Sequence, residues 1–172
     1  MAKGGRPRKH DPLADDISFA IEAMKNKEAI SLLTDVSVDI LDGEGRTPLI
    51  YASFSGNLEI LQWLIHQGAQ LDVQDRNGFC ALHAASQNGH VKVLEVLLRS
   101  GANPNLTDAH GNGPLWTATI KSRGDDSVPS LLIHHGADPD HMNNAGKSPK
   151  DAMALIRKNL KLMADQRNND QA

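Results

Sequence analysis

Histidines are the residues of this sequence best suited to hold a metal ion. His134, His135 and His141 lie close together in the chain, with His110 one sequence block earlier. Imidazole nitrogens are common zinc ligands. Adjacent helical residues point about 100° apart, however, which makes His134 and His135 poor joint ligands. The sequence therefore predicts no metal site, with a metal-dependent enzyme as the alternative.

Nucleophilic chemistry has even fewer candidates. Cys80 is the single cysteine, so it cannot form a disulfide within the chain. The sequence contains no G-x-S-x-G, no H-E-x-x-H, no phosphate-binding Walker loop and no Cys-His pair at a recognised catalytic spacing. We interpret Cys80 as a small space-filling side chain, with a reactive thiol as the alternative. We predict no catalytic residues, no enzyme activity and no cofactor.

A regular spacing of glycines is the strongest pattern. Gly45, Gly78 and Gly111 stand 33 residues apart, and each follows an aspartate by three residues. A period of this length is typical of a solenoid, in which stacked units present a continuous surface. The three aspartates are Asp42, Asp75 and Asp108.

Each block encodes two short helices. Thr47 can cap a helix at its N-terminus, and Pro48 suits the first helical position. Gly56 and Gly89 follow the first helix, where a left-handed residue lets the chain reverse. Apolar residues then recur at helical spacing, so each hairpin has one face that only a neighbouring hairpin can bury.

These blocks resemble the ankyrin repeat family. The resemblance rests on the Asp-x-x-Gly-x-Thr-Pro-Leu-His opening, the apolar run near Leu94 to Leu98, and the Gly-Ala steps at Gly68, Gly101 and Gly136. It implies an all-α solenoid of stacked helix-turn-helix units with β-turn fingers, and a backbone hydrogen bond from His83 to the neighbouring repeat. The expected organisation is a basic flexible tail (1–12), an ankyrin-repeat domain (13–164) and a flexible C-terminal tail (165–172). The repeats are expected at about 13–41, 42–74, 75–107 and 108–142, followed by a cap at 143–164.

The terminal units and the third full block depart from the pattern. Residues 14–41 lack the Thr-Pro start, as expected of an end repeat. In the C-terminal cap, the stripe Met153, Ile156, Leu160 and Met163 is expected to close the core, with a partner-binding helix as the alternative. Residues 122–127 form an insertion between two helices, and Asp126 or Ser127 could cap the helix that follows. The insertion is either a contact site or a neutral surface loop.

Charge is divided between the N-terminus and the rest of the chain. The first ten residues carry four Lys and Arg and no acid, whereas the remainder carries 14 basic and 21 acidic residues. An acidic array is a poor nucleic-acid binder. The segment Gly5–Lys9, however, resembles an AT-hook arm, which makes Arg6, Arg8 and Lys9 candidate DNA contacts. A disordered solubilising tail or a localisation signal explains the same residues.

The resemblance also sorts exposed positions into two groups. Residues beside the turn glycine are expected at the fingertips, and the two residues before each helix-ending glycine are expected on the concave groove. Phe54, Phe79 and Ile120 are apolar at such positions, where aromatic and aliphatic anchors suit an interface. Trp116 belongs beside them unless it and Ile120 pack under the enlarged loop. The predicted partner-binding residues are Glu44, Arg46, Phe54, Arg76, Asn77, Phe79, Gln87, Asn88, His110, Asn112, Trp116, Ile120 and Lys121.

Together these patterns predict a non-catalytic module that binds another protein. The acidic groove favours a partner with a basic patch. A small stoichiometric inhibitor or immunity factor is the more specific form of this hypothesis, and a DNA-associated regulator that uses the N-terminal arm is the alternative. The sequence has no membrane-length apolar segment and no apolar leader, so we expect a cytoplasmic protein, or a nuclear one if the source is eukaryotic.

Overall fold

A computed structural model describes residues 11–169 of the chain, with side chains described as far as residue 167. This part of the chain is helical and contains no strand. The helices form four hairpins followed by one longer helix. Their bounds are α1 Pro12–Glu22, α2 Asn26–Leu33, α3 Pro48–Ser55, α4 Leu58–His66, α5 Ala81–Asn88, α6 Val91–Arg99, α7 Pro114–Lys121, α8 Ser127–His134 and α9 Pro149–Asn169.

The first hairpin with a Thr-Pro start shows why the chain folds in this way. Thr47 is the N-cap of α3, and its hydroxyl accepts a hydrogen bond from the Ile50 N–H at 3.3 Å. Pro48 occupies the first helical position, as predicted. Gly56 ends α3 in the left-handed conformation (φ 71°), and Gly89 ends α5 in the same way (φ 70°). Local chemistry therefore fixes both ends of α3 and the C-terminal end of α5.

The hairpins stack in chain order. The inner helices α1, α3, α5, α7 and α9 each pack on the next, and the outer helices α2, α4, α6 and α8 form a second layer. The core between the layers is aliphatic; its largest fully buried apolar residues are Ile17, Ile21, Leu33, Leu49, Ile60, Leu61, Leu64, Leu82, Leu94, Leu97 and Leu132. Each hairpin thus buries its apolar face against its neighbours, as a solenoid requires.

The N-terminal repeat begins slightly earlier than the sequence suggested. Helix α1 starts at Pro12, one residue inside the segment expected to be a tail, because the Asp11 carboxylate accepts a hydrogen bond from the Leu13 N–H at 3.1 Å. The side chain of Asn57 ties this repeat to the next by donating to the Ile21 carbonyl at 3.1 Å.

The insertion between α7 and α8 is capped differently from the prediction. Asp126 occupies the N-cap position of α8, but its side chain makes no capping hydrogen bond. Asp125 instead accepts from the Ser127 N–H at 2.9 Å, while Asp126 forms an ion pair with Arg157 of α9 at 2.6 Å. The Asp126 carboxylate is therefore paired with Arg157 and forms no capping hydrogen bond to α8.

Helix α9 closes the core with only part of the predicted stripe. Met153 and Ile156 are half-buried, whereas Leu160 and Met163 are largely exposed, and α9 continues to Asn169, into the expected C-terminal tail. Leu160 lies directly against Gly124 of the insertion, so a β carbon added there would require the Leu160 side chain to move. The helix is longer than the end of the stack that it covers. No helix between residues 11 and 169 combines the length and the apolar character needed to cross a bilayer.

Candidate protein-binding groove

The fingers are the tight turns that begin at Asp42, Asp75, Asp108 and Asn143. Each is built around one carboxylate or amide oxygen. Asp42 Oδ1 accepts from the N–H groups of Glu44 and Arg46, both at 2.8 Å. Asp75 and Asp108 repeat this arrangement at distances of 2.8 and 2.9 Å. Asn143 repeats it at the fourth turn, at 3.0 and 3.1 Å. The recurring aspartate is therefore the centre of each turn, which explains the period seen in the sequence.

Neighbouring fingers are joined through their backbones. The Arg76 N–H donates to the Glu44 carbonyl at 3.0 Å, and the Ala109 N–H donates to the Asn77 carbonyl at 2.8 Å. Gly78 lies at a close approach in this row: with φ at +77°, it would place an added β carbon 2.9 Å from the Asp108 Cα. The fingertips therefore form a connected edge of fixed spacing.

Three of the predicted partner-binding residues meet at one place. Arg46, Phe54 and Phe79 line an open hollow of about 290 Å³ on the concave side, between the second and third hairpins. Phe54 is 44% exposed, which is unusual for a phenylalanine on a helix that otherwise packs on both sides. We call this site the aromatic hollow; its remaining lining residues are Glu22, Ile50, Tyr51, Asp75 and Ala84.

The polar wall of the aromatic hollow is held by Asp42. The Tyr51 hydroxyl donates to Asp42 Oδ2 at 2.6 Å, and the Arg46 guanidinium lies 5.3 Å from the centre of the Tyr51 ring. Burial, together with the Asp42 hydrogen bond and charge, raises the pKa of Tyr51 to about 12. Burial alone would raise the pKa of Asp42, but the bonds from Tyr51 and from the finger N–H groups, with the Arg46 charge, hold it below its usual value.

Arg46 itself is incompletely satisfied. Its Nε atom lies 3.4 Å from Asp42 Oδ2, but the alignment is too poor for a hydrogen bond, and this buried atom bonds to no other described group. Because a guanidinium carries five donors, Arg46 presents unused hydrogen-bonding capacity beside the aromatic rings. The hollow thus combines an apolar floor with polar groups at its edge, which is the composition of a protein-binding anchor site.

The other predicted residues are spread along the same edge and face. At the fingers, Glu44 and Arg76 form an exposed ion pair at 3.7 Å, and Asn77 and His110 are exposed. Asn112 is half-buried, because its side chain bonds to Asp108 and accepts from Asn143. On the inner helices, Gln87 is half-buried and Asn88 donates to the Phe54 carbonyl at 2.8 Å.

Trp116, Ile120 and Lys121 lie one repeat beyond the aromatic hollow. Ile120 is 48% exposed, and Lys121 is exposed. Trp116 is half-buried and lines a small cavity of about 20 Å³ at the base of the fingers, beside Lys147 and Pro149. The lining of this cavity includes no residue of the 122–127 insertion, under which Trp116 was alternatively expected to pack. The predicted set therefore divides into the hollow and a separate third-repeat group.

Five lining residues of the hollow were not predicted: Glu22, Ile50, Tyr51, Asp75 and Ala84. Glu22 stands 33 residues before Ser55, so continuing the period into the degenerate first repeat would have placed it on the concave face. Asp75 was assigned only to the turn. Tyr51 carried no signal, because only the folded finger brings Asp42 and Arg46 to its ring and hydroxyl.

Cys80 and His83 meet in the core, although no catalytic Cys-His spacing was recognised. Cys80 Sγ lies 3.0 Å from His83 Nδ1, and His83 Nε2 lies 2.9 Å from the Asn112 carbonyl oxygen. Since a carbonyl can only accept, Nε2 carries the proton and Nδ1 accepts from Cys80. Burial raises the pKa of Cys80 to about 11 and lowers that of His83. The pair is thus neutral and joins two repeats, as expected for His83, whereas a nucleophilic pair needs a thiolate.

The other chemical candidates remain apart or fall outside this part of the chain. The rings of His134 and His135 meet edge to face at 5.4 Å, and His141 contacts the Gly111 carbonyl at 3.1 Å. Within residues 11–167, no three His, Cys, Asp or Glu side chains are grouped so that they could hold a metal ion. Arg6, Arg8 and Lys9, the candidate DNA contacts, lie outside the described residues.

Comparison with protein families agrees with this architecture. A family model described as "Ankyrin repeats (3 copies)" matches residues 4–75 and again residues 67–143, which together make up most of the chain. A search of curated proteins finds no match.

Proposed function

Since this chain belongs to the ankyrin repeat family, whose repeats generally mediate protein–protein interaction, we propose that it binds a partner protein through the concave groove and the fingertips. The family is typically non-catalytic, and we propose that the chain acts by binding alone. The observation that carries the proposal is the aromatic hollow, in which Phe54 is 44% exposed beside Tyr51 and Phe79. Exposed aromatic side chains in a concave site are the usual energetic anchors of an interface.

Charge indicates what kind of partner fits. Residues 11–148 carry 9 Lys and Arg against 18 Asp and Glu. Glu22 and Asp75 line the hollow, and Glu44 lies on the adjoining fingertip. A partner with a basic patch around an apolar side chain complements this surface. The acidic surface also accelerates association with such a partner at low ionic strength.

We further propose that the chain works by occlusion, as a stoichiometric inhibitor or immunity factor that covers a functional surface of its partner. The exposed ring of Phe54 in the concave aromatic hollow supports a binding role of this kind. Occlusion requires a complex of fixed stoichiometry and no turnover.

The proposal is tested by comparing two phenylalanine variants. Phe54→Ala removes the exposed ring of the hollow, whereas Phe19→Ala removes a ring that is 63% exposed and does not line the hollow. Proteins retained from native extract by the intact chain are identified by mass spectrometry, purified and titrated by calorimetry. We expect Phe54→Ala to weaken binding by about tenfold or more, since interface anchors contribute about 2 kcal/mol, and Phe19→Ala to leave it unchanged. Equal affinity of the two variants would place the interface elsewhere.

A further inference from the structure

The first two junctions between successive inner helices are joined by side chains that donate to a carbonyl at the C-terminal end of the earlier helix. These carbonyls belong to Ile21 and Phe54, and the equivalent carbonyl of the third junction belongs to Gln87; the three positions are 33 residues apart. Asn57 donates to Ile21 at 3.1 Å, and the Phe54 carbonyl has two partners, His90 Nε2 at 3.0 Å and Asn88 at 2.8 Å. The last carbonyls of a helix lack the usual partner within the helix. The Ile21 carbonyl also accepts from the Met24 N–H at 3.1 Å, and these side chains supply donors in addition to the backbone.

The third junction lacks this bond. Within residues 11–167, no side chain donates to the Gln87 carbonyl. The residue that should do so follows the C-cap of α7, where the chain instead enters the insertion at Arg123 (φ 50°). The insertion follows α7 in place of a side chain that could reach the Gln87 carbonyl. A cleft of about 260 Å³ lies there between α5 and α7. We call it the junction cleft; its lining includes Ser86, Gln87, Asn88, Lys121, Ser122 and Asp125.

A second observation marks the same place. Ser86 is 2% exposed, and its buried hydroxyl has no hydrogen-bond partner. At the equivalent positions of the neighbouring repeats, Ser53 donates to the Leu49 carbonyl at 2.7 Å and Thr119 donates to the Leu115 carbonyl at 2.8 Å. Buried polar groups without partners are rare in folded proteins. Ser86, a lining residue of the junction cleft, therefore carries a buried unsatisfied hydroxyl next to the Gln87 carbonyl, which lacks a side-chain donor.

The electrostatics of the junction cleft favour a cation. Helices α5 and α7 both end there, and helix C-termini carry partial negative charge. Asp125 adds a carboxylate, whose pKa is lowered by its hydrogen bonds from the backbone and side chain of Ser127. Lys121 also lines the cleft, and its charge offsets that of Asp125, so the two helix C-termini and the open carbonyl are the acceptors that remain. An anion would meet these acceptors unfavourably, whereas a donor-rich cation would pair with them.

We propose that the junction cleft binds an arginine side chain of the partner protein. This inference rests on the proposed function, because the partner supplies the arginine. A guanidinium group offers five donors in a plane. It would take the role that the side chains of Asn57 and His90 have at the earlier junctions, while Asp125 pairs with its charge. With the insertion, the hydrogen bond that a side chain of the protein makes at the earlier junctions is thus replaced by a hydrogen bond to the partner.

The probe for this site is Nα-acetyl-arginine amide, titrated into the isotopically labelled full chain and followed by NMR. We expect saturable shifts of the Asn88 side-chain amide and of the Ser122 and Gly124 backbone amides. The isosteric, uncharged Nα-acetyl-citrulline amide should give none at the same concentrations. Equal shifts with citrulline, shifts confined to other residues, or no saturation with arginine would overturn the proposal. A tighter response to Nα-acetyl-lysine amide would overturn the choice of arginine.

Matched variants locate the response. Asp125→Asn keeps an oxygen for the Ser127 N–H but removes the charge, and we expect it to weaken arginine binding by up to about fivefold, the range of an exposed ion pair. Asp72→Asn makes the same change at an aspartate that accepts from the Asn103 N–H outside the cleft, and should have no effect. Ser86→Ala should weaken binding about threefold, as expected for one neutral hydrogen bond, and Ser53→Ala should not.

The failure of this inference is distinguishable from failure of the proposed function. If Phe54→Ala abolishes partner binding while Asp125→Asn and Ser86→Ala leave it unchanged, the junction cleft has no role and the binding function stands. If Phe54→Ala has no effect on the partner, the aromatic hollow is refuted whatever the cleft binds.

Discussion

Removing the Asp75 carboxylate tests how the fingers are built. Asp75 Oδ1 accepts two backbone hydrogen bonds, from Asn77 at 2.8 Å and from Phe79 at 2.9 Å. Asp75→Ala leaves both N–H groups without this acceptor. A hydrogen bond to a charged group contributes about 1.5 kcal/mol or more when protected. Because the turn is half-exposed and water can replace part of each bond, we expect a loss of about 2 kcal/mol in the free energy of unfolding.

The fourth finger supplies the control. Asn143 makes the same two bonds with a neutral amide oxygen, at 3.0 and 3.1 Å. The longer distances are those expected when the acceptor carries no charge. Asp75→Asn should therefore retain the turn and lose only about 1 kcal/mol.

The assay is urea unfolding followed by circular dichroism at 222 nm, with amide hydrogen exchange at Gly78 as the local readout. We expect faster exchange at Gly78 in Asp75→Ala than in Asp75→Asn. If the two variants are equally destabilised, the charge rather than the bond geometry sustains the turn. If Asp75→Ala loses less than about 0.5 kcal/mol, within the range of an ordinary surface change, the proposed basis of the repeat is wrong.

Three further predictions concern the core and the C-terminal helix. Because burial lowers the pKa of His83 below 6.5, the unfolded chain binds a proton at this residue before the folded chain does. The stability contributed by holding His83 neutral is therefore complete above pH 6.5 and declines as the pH falls towards the pKa of His83 in the folded chain. Urea unfolding across this pH range should show a smaller decline in the free energy of unfolding for His83→Gln than for the native chain. Cys80 is 1% exposed and its pKa is raised from 9.0 to about 11, so a thiol reagent at pH 8 should react at least about 100-fold more slowly with the folded chain than with the urea-unfolded chain; comparable rates would contradict the buried Cys80–His83 pair. Met153→Ala should lower the free energy of unfolding by about 1–2 kcal/mol, because Met153 is half-buried against the stack, whereas Leu155→Ala on the exposed face should change it by less than about 0.5 kcal/mol; the reverse order in urea unfolding would mean that α9 packs through its other face.

Features set by short-range chemistry were predictable. The cap at Thr47, the left-handed glycines at Gly56 and Gly89, and the bond from His83 to the next repeat depend on a few neighbouring residues or on the repeat itself, and the structure confirms them. The family resemblance also placed Arg46, Phe54 and Phe79 at binding positions, and all three line the aromatic hollow.

Features set by contacts between distant parts of the chain were not predictable. The local sequence favours Asp126 as a helix cap, but in the fold its carboxylate pairs with Arg157 at 2.6 Å. The length of α9 that could be buried depended on where the stack ends, which its apolar spacing does not encode. Tyr51 reaches Asp42 across the turn, and only the folded finger brings the two side chains together.

The position of the partner on the solenoid is the most direct test of the binding function. Hydrogen–deuterium exchange, measured on the full chain with and without the purified partner, reports this position by segment. We predict protection of the fingertips 43–46 and 76–79 and of the inner helices α3 and α5. Protection confined to the outer helices α4, α6 and α8, with the fingertips unchanged, would contradict binding through the concave groove.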